Sequence, residues 1–291
     1  MLKRKIRFII NQKSRLIRIK NLQKDINKYI SKHDIEYDFS VCYDIEEISK
    51  SCQECIKLNY DSIIAIGGDG TINICAKNII NTNTKLGIIP KGSGNGTAYT
   101  LGLNRNIKKC LDVIKQNKVT KIDIGIVNEK IFLNNTGFGF DAHISKKIQK
   151  KTKRGFKMYL YNIIKDFFSF KEKEYIISTK KEQIKIKAYI VSVFNANQYG
   201  NKIIISNDSK MTDGKLELFI IKKPKIIYTP LLLFYLITKN LNKSKIVTII
   251  NSDKFKIQTT TKLFHIDGDY QESEKNYEIK IHKKALKIII P

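Results

Sequence analysis

The chain has 291 residues, and 54 Lys and Arg against 27 Asp and Glu give it a formal net charge of +27. With 42% hydrophobic and 28% charged residues, its composition is that of a globular protein and excludes a disordered chain. The apolar runs are too short for a membrane-spanning helix or a signal peptide. We therefore expect a soluble, cytoplasmic protein. Five cysteines, an odd number, exclude a disulfide framework and indicate buried thiols.

The first third of the chain alternates strand and helix patterns. Strands are predicted over residues 6–11, 36–42, 62–66 and 85–90, and helices over 16–31, 44–58 and 71–80. This βαβα order predicts a parallel sheet that binds ligands at the carboxyl ends of its strands. We assign residues 1–121 to this α/β domain.

Beyond residue 121 the pattern changes to strands with a period near two. They are predicted over residues 122–128, 130–138, 174–180, 184–196, 216–222, 245–252, 254–260 and 277–283. A mainly antiparallel second domain is therefore expected over 122–283. A final strand near 284–291 is expected to pack back on the first domain.

Two glycine-rich segments follow predicted strands of the first domain. Gly67-Gly68-Asp69-Gly70-Thr71 lies between a strand and a helix, and residues 90–97 (PKGSGNGT) repeat that arrangement about 25 residues later. Glycines let backbone N–H groups approach an anion, and the helix start adds its dipole. Either segment alone is equally well explained as a tight turn. Two at one sheet edge favour a nucleoside triphosphate site.

These motifs resemble the catalytic domain of diacylglycerol kinases, a superfamily that includes bacterial soluble lipid kinases and the sphingosine and ceramide kinases. The resemblance rests on GGDGT with Asn73, IIPKGSGNGTA, NNTGFGFDA, MTDGKLEL and HIDGD, in the expected order over nearly the whole chain. It implies a Rossmann-like α/β nucleotide-binding domain of the NAD kinase and diacylglycerol kinase type, followed by a mainly antiparallel β-sandwich.

The resemblance also implies a binding site for ATP and Mg²⁺ in the first domain. Its residues would be Asn11, Cys42, Gly67, Gly68, Asp69, Gly70, Thr71 and Asn73, with Gly92, Ser93, Gly94 and Asn95 from the second loop. Cys42 stands where the family usually has a nucleotide-contacting threonine. Asp69 is expected to help position Mg-ATP or the substrate hydroxyl.

Two further sites are implied in the second domain. Asp269, in a motif that usually reads Asp-Gly-Glu, would accept the proton of the attacking hydroxyl, with Asp267 as second choice. Without the family, Asp-Gly would be taken as a hairpin turn. A structural magnesium is expected at Asp213, with the main-chain carbonyls of Lys210 and Lys215.

The expected reaction transfers the γ-phosphate of ATP to a lipid hydroxyl, with diacylglycerol as acceptor and phosphatidic acid as product. Small Gly96 leans toward a sphingoid base or another long-chain alcohol, which stays open as the alternative. More remote alternatives are an NAD kinase and a binding protein whose catalysis has decayed.

A basic segment predicts contact with an anionic membrane surface. It comprises Lys146, Lys147, Lys150, Lys151, Lys153, Arg154 and Lys157, with no acidic residue from 142 to 165. A solvated helix face would explain any one of these lysines equally well. We expect peripheral membrane association and no specific nucleic acid partner, because no nucleic-acid-binding motif is present. A homodimer stays open.

Overall fold

The computed structural model describes residues 3–13, 18–30, 35–149, 156–200, 203–206, 209–273 and 275–291. The chain divides into two compact units, Met1–Ile122 with Lys284–Pro291 and Asp123–Lys283. Within the described ranges, no helix is both long and apolar enough to cross a membrane.

The first unit is a parallel sheet with helices. Its elements are β1 (Arg4–Asn11), α1 (Ile19–Ile30), β2 (Ile35–Cys42), α2 (Ile45–Lys57), β3 (Ser62–Gly67), α3 (Asp69–Ile79), β4 (Lys85–Pro90), α4 (Gly96–Thr100) and α5 (Ile107–Gln116). The sheet order is β2-β1-β3-β4, and all three of these pairings are parallel. At the far side of β4, Ile288 pairs with Leu86 in parallel.

Apolar periodicity explains how the first unit packs. Leu22, Ile26 and Ile30 recur every four residues along α1, so they share one face and are buried in the same cluster as the strand residues Phe8 and Ile64. Helix α2 begins after Asp44, whose carboxylate accepts the N–H of Glu47 at 2.9 Å. The five cysteines are free and buried, which confirms the interpretation as thiols.

The second unit is built mainly from antiparallel strands. They are β5 (Val119–Val127), β6 (Lys130–Phe132), β7 (Asn135–Gly139), β8 (Lys173–Ser178), β9 (Gln183–Ala188), β10 (Ile190–Phe194), β11 (Gln198–Gly200), β12 (Ile203–Ile204), β13 (Leu216–Ile221), β14 (Val247–Ser252), β15 (Lys254–Thr259), β16 (Leu263–Ile266), β17 (Asp269–Glu272) and β18 (Asn276–Ile289). Strands β5 and β18 continue through the boundary between the units. The helices are α6 (Phe140–Gln149), α7 (Phe156–Asp166) and α8 (Thr229–Ile237).

Two sheets form the sandwich of this unit. One has the order β14-β13-β10-β7-β16-β17, and the other contains β18-β15-β8-β9 with β5 and β6. The buried core draws on both sheets, with Phe138 and Phe264 from the first and Tyr175, Phe255 and Tyr277 from the second. A Rossmann-like unit and a β-sandwich are the predicted fold class, which is confirmed.

Two predicted strands are each divided in the structure. The segment 184–196 forms β9 and β10, which belong to different sheets and are separated at buried Tyr189. The segment 130–138 forms β6 and β7, because the backbone N–H groups of Leu133 and Asn134 donate to the Asp267 carboxylate instead of a neighbouring strand. Period-two patterning does not show where a strand passes from one sheet to another.

Candidate functional site

The carboxyl edge of the parallel sheet brings the predicted nucleotide residues together. Asn11 and Cys42 are register partners at the ends of β1 and β2. Gly67 and Pro90 are partners at the ends of β3 and β4. All four strands therefore end at one edge, where a parallel α/β sheet binds its ligands.

The first glycine loop joins β3 to α3 and leaves no room for a side chain at Gly67. A Cβ on Gly67 would overlap the Thr71 side chain. Thr71 Oγ1 accepts a hydrogen bond from Asn11 Nδ2 at 2.9 Å, which connects β1 to the first turn of α3. Asn11 thus acts on the loop through Thr71.

The second glycine loop is closed by the fully buried Asn95. The Gly92 N–H donates to Asn95 Oδ1 at 2.8 Å, and Asn95 Nδ2 donates to the Gly92 carbonyl at 2.9 Å. Asn95 itself has a φ of 53°, in the left-handed region that asparagine tolerates. A Cβ on Gly92 would overlap Gly68 Cα, so the two loops touch through their glycine backbones.

Asp69 connects the two loops. Its Oδ1 accepts the Thr97 N–H and its Oδ2 accepts the Gly96 N–H, each at 3.1 Å, so the carboxylate caps the start of α4. Both oxygens are therefore used in holding the second loop. The described geometry gives Asp69 a positioning role, and its expected role in handling Mg-ATP or the substrate hydroxyl stays a prediction.

The assembled edge offers donors to an anion. Helix α3 begins after Gly68 without a side-chain cap, so its first N–H groups point out at the sheet edge. Exposed Gly70 and Ser93 lie on the two loops, Gly94 is half-buried, and Asn73 lies further along α3. Sequence reasoning missed Arg105, whose guanidinium donates to the carbonyls of Gly92 and Ser93 at 2.6 and 3.1 Å.

Cys42 is a less polar contact than a threonine would be. It is buried, and burial raises the pKa of its thiol, so it stays neutral. Its Sγ lies 3.4 Å from Ser40 Oγ. Only weak hydrogen bonding is available from Cys42 at this edge.

In the second unit, Asp267 and Gly268 form a two-residue hairpin turn between β16 and β17. Their φ values are 48° and 85°, as a type I′ turn requires. The Asp267 carboxylate accepts the backbone N–H groups of Leu133, Asn134 and Asn135 at 2.8–2.9 Å. Asp267 therefore anchors the turn to the start of β7, which argues against its catalytic assignment.

Asp269 lies one residue beyond the turn, at the start of β17, and is exposed. The turn that presents it is held from beneath by His265, whose Nδ1 accepts the Gly268 N–H at 3.2 Å. Of the two aspartates in the motif, Asp269 is the more exposed, and its catalytic role stays a prediction.

A buried polar cluster supports His265. Its Nε2 lies 2.8 Å from Asp141 Oδ2, and that same oxygen accepts hydrogen bonds from Ser192 and Tyr199 hydroxyls, each at 2.8 Å. Burial alone would raise the pKa of Asp141, but His265 and the two hydroxyls outweigh it and hold the pKa below its usual value. The cluster was not found from the sequence, because its members come from four separate elements.

The turn at Asp213, where magnesium is expected, is hydrogen-bonded within itself, and the metal site stays a prediction. Asp213 is exposed, its Oδ1 accepts the Lys215 N–H at 2.9 Å, and the Lys210 carbonyl accepts the Asp213 N–H at 3.4 Å. The buried Asp123 Oδ2 accepts the Gly214 N–H at 2.7 Å and so fixes this turn. The Lys283 side chain packs over Gly214 and brings a positive charge. Within the described ranges, no three His, Cys, Asp or Glu residues form a metal cluster.

Two lysines of the predicted membrane patch are paired with acids. Lys146 Nζ lies 3.2 Å from Glu272 Oε1, and Lys147 forms an ion pair with Asp166. Lys150, Lys151, Lys153 and Arg154, and the side chain of Lys157, lie outside the described residues. The patch as a membrane contact stays a prediction.

The comparisons with known proteins agree with this architecture. Residues 5–127 match the model of the diacylglycerol kinase catalytic domain, and residues 134–290 match that of the YegS C-terminal NAD kinase beta sandwich-like domain. Proteins that combine these two domains form a class of kinases. The chain belongs to the family of proteins that carry a diacylglycerol kinase catalytic domain followed by a YegS-type C-terminal domain, and the predicted family is thus confirmed.

Individual relatives are distant but span most of the chain. "Probable lipid kinase YegS-like" of Klebsiella pneumoniae is 26% identical and aligns over 88% of this chain and 87% of its own. "Diacylglycerol kinase" of Bacillus subtilis is 26% identical over 77% of this chain and 76% of its own. A crystal structure of a diacylglycerol kinase from Bacillus anthracis, 20% identical, covers 100% of this chain and 98% of its own with a TM-score of 0.77. That last likeness supports the fold.

Proposed function

We propose that this protein is an ATP-dependent lipid kinase that transfers the γ-phosphate of ATP to a lipid hydroxyl, with diacylglycerol as acceptor. The observation that carries the proposal is the pair of glycine loops, joined by Asp69 and closed by Asn95 at the carboxyl edge of the sheet. Family membership supplies the reaction class. The low identity of the relatives leaves the acceptor lipid as part of the proposal.

The first unit is proposed to bind the nucleotide. The N–H groups at the start of α3 and the exposed Ser93 hydroxyl would bind phosphate oxygens, and Arg105 would add positive charge beside them. The backbone donors and the uncapped helix start fit a polyphosphate. Mg²⁺ bound with ATP would offset the negative charge of the phosphates during transfer.

Asp269 is proposed to orient the acceptor hydroxyl and take its proton. Its carboxylate is exposed at a strand start, and the neighbouring turn is anchored by Asp267 and His265, so its backbone is held in place. A positioned general base typically contributes about 10²–10⁴ in rate. Asp269 is one methylene shorter than the glutamate usual in the family.

A lipid acceptor requires access to a membrane. The basic segment that includes Lys146 and Lys147 is proposed to contribute electrostatic attraction to anionic lipid, within an overall charge of +27. A sphingoid base remains the second acceptor to test, because buried Gly96 adds no carboxylate to the loop.

The test incubates purified protein with labelled ATP, Mg²⁺ and mixed vesicles that contain diacylglycerol, sphingosine and ceramide. We expect labelled phosphatidic acid in the wild-type reaction and its loss in Asp269→Asn. Asp69→Asn serves as a second variant, expected to lose nucleotide binding because its second loop is released. Labelled sphingosine or ceramide phosphate would reassign the acceptor. ATP binding without any labelled lipid, followed by labelling of NAD, would overturn the lipid kinase.

A further inference from the structure

The segment between β13 and β14 has no acidic residue and an unusual concentration of apolar and basic ones. From Glu217 to Asp253 the chain contains no other Asp or Glu, and its lysines are Lys222, Lys223, Lys225, Lys239, Lys243 and Lys245. Between them lies α8, with the sequence TPLLLFYLI, preceded by a short 3₁₀ turn over Ile226–Tyr228.

One face of α8 packs against the core of the second unit. Leu232, Tyr235 and Leu236 pack against a cluster that includes buried Phe194 and Phe219. This inner face alone would supply the burial that a surface helix of nine residues needs. The remaining apolar side chains of the helix therefore require another explanation.

The opposite face of α8, together with the 3₁₀ turn before it, exposes large apolar side chains to solvent. Ile227 is 75% exposed, Phe234 is 57% exposed and Ile237 is 79% exposed, with Tyr228 and Leu231 also exposed. Positions 227, 231, 234 and 237 recur every three or four residues, so they form one stripe. An exposed apolar stripe on this scale marks a contact surface.

Charge selects the partner. A second copy of this chain would bring the same lysines toward each other, whereas an anionic bilayer offers phosphates to them and hydrocarbon to the stripe. Lys222, Lys225, Lys243 and Lys245 are exposed in the segments that flank α8. Nine residues are too few to span a bilayer, for which about 20 are needed, but they suit a helix that lies in the interface.

We propose that α8 is a membrane-docking helix, which inserts Leu231, Phe234 and Ile237 into the interface of an anionic bilayer while the flanking lysines contact lipid phosphates. The proposal deepens the proposed lipid kinase function, on which it rests for the need to reach a lipid substrate. Docking itself requires no ATP and no turnover, so it is tested separately.

The chain contains no tryptophan, so a single substitution creates a unique fluorescent probe. Phe234→Trp is placed on the stripe, and Leu58→Trp, at a position 54% exposed in the first unit, is the matched control. With phosphatidylcholine–phosphatidylglycerol vesicles, we expect a blue shift and quenching by brominated lipid for Phe234→Trp. Leu58→Trp should show neither.

A second measurement uses sedimentation with the same vesicles, without nucleotide. The triple variant Leu231→Ser, Phe234→Ser and Ile237→Ser should bind at least roughly tenfold more weakly. The double variant Ile45→Ser and Leu58→Ser, which removes exposed apolar side chains elsewhere, should bind like the wild type. Thermal unfolding of each variant checks that it remains folded.

Two outcomes would overturn the docking helix. One is unchanged vesicle binding of the folded triple variant together with an unshifted Phe234→Trp emission. The other is a blue shift that rises with protein concentration in the absence of vesicles, which would assign the stripe to a second copy of the chain. Failure of lipid phosphorylation with intact vesicle docking would count against the proposed function alone.

Discussion

Asp267 and Asp269 differ by two positions in the sequence and face different surroundings. The Asp267 carboxylate accepts hydrogen bonds from three backbone N–H groups. Leu133 and Asn134 donate to this carboxylate instead of to a neighbouring strand. Asp269 is exposed at the start of β17. The first aspartate thus stabilises the turn, whereas the second is exposed and is the one proposed to act on the substrate.

This difference predicts that one amide substitution affects stability and the other affects activity. Asp267→Asn should lower the free energy of unfolding by about 1–3 kcal/mol, because an amide leaves buried N–H groups without a carboxylate acceptor. Asp269→Asn should leave unfolding unchanged and reduce lipid phosphorylation by about 10²–10⁴. Denaturant unfolding and initial rates measure the two effects. A stable, inactive Asp267→Asn variant would contradict the assignment.

At the scale of elements, Arg7 joins three pieces of the first unit. Its guanidinium donates two hydrogen bonds to the Asp38 carboxylate across β1 and β2, each 2.8 Å long, and a third to Glu54 on α2 at 3.0 Å. Burial alone would raise the pKa of Asp38, but hydrogen bonds from Arg7 and Tyr60 hold it below its usual 3.8. Tyr60 itself has its pKa raised to about 12, first by burial and then by Asp38.

The direction of the Asp38 shift determines its pH dependence. A carboxyl whose folded pKa is depressed stabilises the fold above its ordinary pKa, near 3.8 here, and loses that contribution as the pH falls through the folded value. Asp38→Asn should therefore cost about 1 kcal/mol at neutral pH, since the pair is partly exposed, and progressively less in acid. Urea unfolding between neutral and acidic pH measures this, with exposed Asp25→Asn as control. A constant difference at every pH would contradict the ion pair.

At the scale of the whole molecule, the net charge of +27 is offset by nearby acidic side chains in some regions and not in others. Lys146 forms an ion pair with Glu272, which is distant in the sequence, and Lys147 with Asp166, which lies just outside the basic segment. Their attraction to a membrane is therefore weaker than the sequence suggests. The segment around α8 has exposed lysines and an apolar stripe together.

The two kinds of contact predict a biphasic response to salt. Electrostatic attraction to anionic vesicles should fall steeply as the Debye length shortens from about 10 Å at 0.1 M to about 3 Å at 1 M. The apolar contact of α8 should persist, so wild-type binding should level off above zero. Sedimentation at increasing salt measures this, and the serine triple variant should fall to zero. Complete loss of wild-type binding at high salt would show that charge acts alone.

The local features of the fold could be read directly from the sequence. Periodicity of apolar residues located the βα alternation, and Asp44 marked the start of α2. Glycine spacing identified two loops that do lie at one sheet edge. These features depend on neighbours a few residues away, which is why chain order alone reveals them.

Other features depend on contacts between distant residues, and only the tertiary structure decided them. It assigned both oxygens of Asp69 to Gly96 and Thr97, and gave Asp267 three N–H partners more than 130 positions away. It divided 184–196 between two sheets. It also left one apolar face of α8 in solvent. The sequence could not show this, because a uniformly apolar helix pattern does not reveal which side the rest of the chain will cover.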